Sequence, residues 1–171
     1  IPYENPPLAT GLEVSSSPNY KITIVDNSTG GDVSSNTVLM DNLNQTPVTM
    51  EVVAAAKQGT PMIVLGDGSR PRIMLVAGVH GGELPPQLAA LNLINELNGE
   101  KIKGTVYIIP FAIPLNTATG NRTPNNSDPD RMAHNPGTPL NNIINTSLQC
   151  DVTLLVDFHS AQPNDIPGKN C

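Results

Sequence analysis

RIMLVAGVHGGE, residues 72–83, decides the fold. Ile73 to Val76 is a continuous apolar run, the pattern of a strand covered on both faces of a sheet. The run passes through Gly78 into His80-Gly81-Gly82-Glu83, and an apolar helical pattern follows from Leu84. The glycines let the backbone turn tightly without steric cost. On such a turn, a His and a carboxylate three residues apart can reach one metal ion. Zinc favours imidazole nitrogen and carboxylate oxygen, and a catalytic zinc takes three protein ligands. Residues 152–159, VTLLVDFH, supply the third: they read as a second buried strand ending in Asp157-Phe158-His159. The expected ligands are His80, Glu83 and His159. Asp157 shares the strand face of His159 and can accept a hydrogen bond from a ligand imidazole, fixing its tautomer.

HGGE after one buried strand and DFHS at the end of another resemble the succinylglutamate desuccinylase/aspartoacylase family of zinc hydrolases. That family belongs to the zinc-carboxypeptidase fold. The phrase GDGSRPRIMLVAGVHGGELPPQLAALNLINEL is similar to its N-terminal half almost throughout, and the resemblance covers residues 59–163. It implies a bound Zn2+ and a small N-acyl amino acid or peptide as substrate. The family's pattern is an Arg followed some eight residues later by Asp-Leu-Asn-Arg; here Arg122 precedes Asp128-Pro129-Asp130-Arg131. The resemblance therefore gives Arg122 the task of polarising the scissile carbonyl and Arg131 that of clamping a substrate carboxylate. Asp130 stands where the family places Asn, and an acid beside the clamp is expected to weaken its pull on an anionic substrate. The family's general base is a glutamate well beyond the third ligand. After His159 the only acid is Asp165, so the domain is expected to be incomplete at its C-terminus and a poor catalyst by itself.

Composition narrows the classes. The chain has 171 residues, enough for a single real core. Aromatics are scarce (two Phe, three Tyr, no Trp), so that core must be aliphatic. A net charge of −6 with no basic patch excludes nucleic acid as an expected partner. No apolar run is long enough for a membrane span. Low lysine, a start at Ile1 and five Asn-x-Ser/Thr sequons, at Asn27, Asn44, Asn121, Asn125 and Asn145, favour an extracellular or cell-surface glycoprotein. Cys150 and Cys171 could pair in an oxidising compartment.

Along the chain, residues 1–20 read as an extended arm and residues 21–25 (KITIV) as a strand. A short strand is expected at 37–40. Residues 1–45 form an N-terminal arm and small β element, ahead of a hydrolase-like domain over 46–171. Thr46-Pro47 opens a helix that runs to Lys57. Residues 61–65 and 73–77 are strands, expected to form a hairpin through Gly66-Asp67-Gly68-Ser69. A helix follows over 84–97, a strand over 105–109 and a helix over 140–148. Residues 112–139 form the longest irregular segment, holding Arg122, Arg131 and His134, the last read as a surface residue. The alternation indicates an α/β fold with a mixed, mostly parallel sheet flanked by helices. Its site is expected beyond the carboxyl ends of the strands.

Two readings follow. One is a zinc-dependent hydrolase that cleaves an amide or peptide bond of a carboxylate-bearing substrate. The other is a non-catalytic extracellular protein that keeps the scaffold for adhesion, surface structure or self-assembly, pairing through an exposed sheet edge.

Overall fold

A computed structural model describes residues 12–121 and 128–161. Six strands form one mixed sheet: β1 (Leu12–Ser16), β2 (Tyr20–Asp26), β3 (Thr60–Gly66), β4 (Arg72–Ala77), β5 (Thr105–Ile109) and β6 (Leu154–Phe158). Their spatial order is β1-β2-β3-β5-β4-β6. Pairing is parallel for β5-β4 and β4-β6 and antiparallel for the other three pairs. The helices are α1 (Thr37–Asn42), α2 (Pro47–Ala56), α3 (Leu84–Leu97), α4 (Pro114–Thr119) and α5 (Pro139–Gln149).

Strand alternation divides the core into two layers. Ile22, Ile24, Ile63, Leu65 and Ile108 pack with Leu39 of α1, Val48, Val52 and Val53 of α2, and Leu91 and Ile94 of α3. Met62, Met74, Val76, Tyr107 and Ile109 point the other way and pack with Leu140 and Ile143 of α5. Successive strand residues face opposite sides, so every central strand needs apolar residues at odd and even positions alike. That is why RIMLVA and TVYII read as unbroken runs. The core is aliphatic, as the composition requires.

Five expectations are corrected, the fifth concerning β6. Residues 66–69 do not make a hairpin, because β5 lies between β3 and β4. The connection crosses the end of β5 and is tied there: Asp67 N–H donates to Gly104 O (3.0 Å), Gly104 N–H to Asp67 Oδ1 (3.2 Å) and Thr105 N–H to Pro71 O (3.0 Å). Residues 37–40 are helical. Asn36 Oδ1 accepts from Leu39 N–H at 3.0 Å, and this cap starts α1. Residues 12–16 of the expected arm form β1. The irregular segment 112–139 contains α4 and a 3-10 turn at Asp130–Met132.

The strand expected to be buried over 152–159 is an edge strand, bonded only to β4 among the described residues. Leu154 is 53% and Phe158 44% exposed. Its apolar residues suit a strand covered on both faces, but nothing among the described residues covers it.

Candidate metal centre

β4 and β6 run parallel in a register that pairs Ala77 with Phe158. The turns leaving their carboxyl ends therefore emerge side by side, bringing His80 and Glu83 against His159. Glu83 is the first residue before α3, yet its side chain makes no helix cap. It turns instead toward the imidazoles. Glu83 Oε1 lies 3.3 Å from His80 Nδ1, and Oε2 lies 3.0 Å from His159 Nδ1. The two rings stand 5.0 Å apart, tilted by 53°. His80 and Glu83 are buried.

The opposite ring edges meet a second set of carboxylates. His80 Nε2 is 2.9 Å from Asp128 Oδ1, and His159 Nε2 is 2.9 Å from Asp157 Oδ2. Asp130 Oδ2 lies between the rings, 3.4 Å from His80 Nε2 and 3.5 Å from His159 Nε2. A carboxylate only accepts, so both edges of each ring face acceptors; were a metal to take Glu83 and the Nδ1 lone pairs, Asp128 and Asp157 would accept from the Nε2 protons.

The electrostatics follow from this enclosure. The hydrogen bond from Asp157, with the charges of Asp157 and Asp130 and the contact to Glu83, raises the pKa of His159 to about 9 against the opposing effect of burial. Burial and the neighbouring Asp157 raise the Asp130 carboxyl above its ordinary range, and the two imidazoles offset part of that rise.

The donor set fits zinc. Zn–N and Zn–O bonds of ~2.0–2.1 Å at tetrahedral angles separate neighbouring ligand atoms by about 3.3 Å. The Glu83 oxygens lie 3.3 and 3.0 Å from the two Nδ1 atoms. His80, Glu83 and His159 form one of the groups able to hold a metal. The structure also brings Asp157 to His159. It places Asp130 against the imidazoles, while the ion-pair partner of Arg131 is Asp128, Nε to Oδ2 at 4.0 Å. Arg131 is 74% exposed in its side chain. His134 is exposed. Arg122 and Cys171 lie outside the described residues, and Cys150 is a buried free thiol. Arg70 pairs with Asp151 and Arg72 is buried in the sheet, both at the opposite end of β4 from the ligand turn.

Sequence reasoning missed Asp128 as the partner of His80. The two residues are 48 positions apart, and only the spacing of Asp128 to Arg131 hints at the link. It also missed the polar clamp behind the turn, formed by Gln87 and Thr117.

No protein-family model matches the chain, and no curated protein matches it. Solved structures do. An aspartoacylase family protein from Mesorhizobium loti superposes with a TM-score of 0.56 at 18% identity, over 88% of this chain and 44% of that one. A protein assigned as a carboxypeptidase, from Burkholderia mallei, gives a TM-score of 0.53 at 19% identity, over 60% of this chain and 31% of that one. A succinylglutamate desuccinylase/aspartoacylase from Rhodobacter sphaeroides is 26% identical over 60% of this chain and 33% of its own, at a TM-score of 0.46. The chain thus spans less than half the length of each of these structures. The resemblance in HGGE and DFHS is met by a fold of the aspartoacylase and carboxypeptidase type, shared over part of a longer architecture.

Proposed function

We propose that this chain carries the metal centre of a zinc-dependent hydrolase acting on an amide or peptide bond of a small, carboxylate-bearing substrate. One observation carries the reading: two imidazole Nδ1 atoms converge on the two oxygens of Glu83, while carboxylates hold both Nε2 edges. This is the orientation that ligand histidines need.

In this reading His80, Glu83 and His159 hold the zinc. The metal would supply Lewis acidity toward a carbonyl and bring the pKa of water toward ~7. The protein's own residues do the rest. Asp128 and Asp157 keep the Nε2 protons in place, so that both rings present a lone pair at Nδ1. Asp130 adds negative charge between the rings and stabilises whatever positive charge the site gathers. Arg131, exposed at the rim, offers a planar fork to a substrate carboxylate. A matching role for Arg122 at the scissile carbonyl rests on the resemblance alone. Asp128, Asp130 and Asp157, the acids nearest the ligands, are engaged at the Nε2 edges. Their first task is to orient the rings.

Among the solved structures, a metallo-carboxypeptidase from Pseudomonas aeruginosa is in complex with (2-guanidinoethylmercapto)succinic acid, and EutE (DoeB) from Ruegeria pomeroyi, an ectoine utilization protein, is product-bound.

Plasma mass spectrometry on the purified protein tests the reading. We expect about one zinc per chain in the wild type and near none in His159→Ala. Equal, negligible zinc in both proteins would overturn it.

A further inference from the structure

We propose that Gln87 is a positioning residue for the metal centre, holding the turn that carries His80 and Glu83 in ligating shape. The inference rests on the zinc reading above. Gln87 lies one turn into α3 and is fully buried. Its Nε2 donates to Gly81 O at 3.1 Å and to Glu83 O at 2.8 Å. These two carbonyls belong to the residue after His80 and to Glu83 itself. One amide group therefore fixes the Gly81–Gly82 and Glu83–Leu84 peptide planes, one inside the two-glycine span that separates the ligands and one just past Glu83.

The amide is itself held. Thr117 Oγ1, also fully buried, donates to Gln87 Oε1 at 2.6 Å. A side chain on Gly78 would press on that same Oε1, so the amide lies flat against the end of β4. α4 closes the other side: a side chain on Gly81 would strike the backbone of Asn116 and Thr117. Gly81 N–H donates to Asn121 O at 3.0 Å. The ligand turn is thus clamped between α3 and the segment just past α4 by three hydrogen bonds, two of them from one amide group.

The chemistry is specific to an amide. Glutamate at this position would set a carboxylate against two carbonyl oxygens, and methionine would remove the side-chain donor that Gly81 O and Glu83 O share. An unpaired buried polar group is costly, so the peptide planes would rotate to find other partners. The Cα–Cβ bond of Glu83 rotates with them, and the separation from His80 that the metal needs is lost. Sub-ångström placement decides whether a ligand set functions. A generic core hydrogen bond predicts only lower stability; this arrangement predicts a changed metal site.

The test uses the whole chain with zinc and cobalt(II) as probes. Zinc affinity is measured by competition with a chromophoric chelator, and the visible spectrum of the cobalt-loaded protein reports ligand arrangement. Unfolding of the metal-free proteins is followed separately. We expect Gln87→Met and Gln87→Glu to lose about tenfold or more in zinc affinity, as when a partner that orients a ligand is removed, and to change the cobalt spectrum. Thr117→Val should lose affinity in the same direction, and Thr117→Ser, which keeps the hydroxyl, should match the wild type. A folded Gln87→Met with wild-type zinc affinity and an unaltered cobalt spectrum would overturn the inference. Should the Gln87 variants fail to fold, equal affinities in Thr117→Val and Thr117→Ser would overturn it. A wild type that takes up no metal overturns the hydrolase reading itself, and this inference with it.

Discussion

At the level of single residues, the site is a pair of imidazoles caught between two kinds of carboxylate. Glu83 meets both Nδ1 atoms, and the aspartates meet the Nε2 atoms. Without a metal, His159 has its pKa raised to about 9 from 6.5, chiefly by Asp157. A raised pKa contributes stability that is fully present below pH 6.5 and is lost as pH rises through about 9. Zinc must displace the Nδ1 proton, so its apparent affinity should climb across that same window and then level off. Asp157→Asn should move the climb to lower pH and reduce the limiting affinity by about 10–100-fold. Chelator competition across this pH range checks both; an affinity flat in pH would contradict the protonation state assigned to His159. The meeting of His80, Glu83 and His159 was legible because HGGE and DFH each close an apolar run, so strand geometry itself brings their side chains together. Asp130 was not. Its neighbour in sequence is Arg131, but the 3-10 turn at Asp130–Met132 directs its carboxylate to the imidazoles.

Elements were legible where a cap or a period marks them. Thr46 caps α2 as its sequence suggests, accepting from Thr49 N–H at 3.3 Å, and its hydroxyl also reaches Asn95 Oδ1 of α3 at 2.5 Å. Thr46→Ala removes the cap and this link between helices. We expect a loss of about 1–2 kcal/mol, seen as a lower denaturant midpoint with an unchanged slope. A change under ~0.3 kcal/mol would show that the helix start is held by packing alone. What the sequence could not show is strand order. Periodicity reports how deeply a strand is buried, not which strand lies beside it. A four-residue Gly-Asp-Gly-Ser connection suits a hairpin equally well in pattern, yet here it crosses over the end of β5. The pairing of β5 with both β3 and β4, and the ties from Asp67 to Gly104, show that β5 occupies the gap. Thr37-Val38-Leu39-Met40 misled for a related reason: β-branched and aliphatic residues favour a strand, but the Asn36 cap commits the segment to a helix.

For the whole molecule, one sheet separates two apolar layers, and its buried ionisable groups report on how intact that separation is. β6 shows the limit of the sequence signal. LLVDF has the composition of a covered strand, but Leu154 and Phe158 stand exposed because composition records suitability for burial, not its occurrence. On the α5 side, Tyr107 of β5 and Cys150 at the end of α5 are fully buried beside the guanidinium of Arg72. Burial raises the Cys150 thiol above its usual 9.0, with Tyr107 and Arg72 pulling it partly back. Burial, and then the adjacent Cys150, raises the Tyr107 hydroxyl above its usual 10.0, with Arg72 again opposing. Both are acids with raised folded-state values, so the native state keeps protons that the unfolded chain releases. Their effect on stability is therefore constant below pH 9 and turns unfavourable as pH rises above 9.0 and then 10.0. Each group that ionises only on unfolding steepens the decline by up to about 1.4 kcal/mol per pH unit. In a His159→Asn background, which removes the decline that the imidazole itself causes between pH 6.5 and about 9, denaturant melts from pH 7 upward should show a plateau that breaks near pH 9. In Cys150→Ala, compared with its own value at pH 7, the break should move up to near pH 10, where the tyrosine alone remains. An identical break in both proteins would mean that the thiol ionises as freely in the fold as in the unfolded chain, and that the layer around Cys150 is open to water.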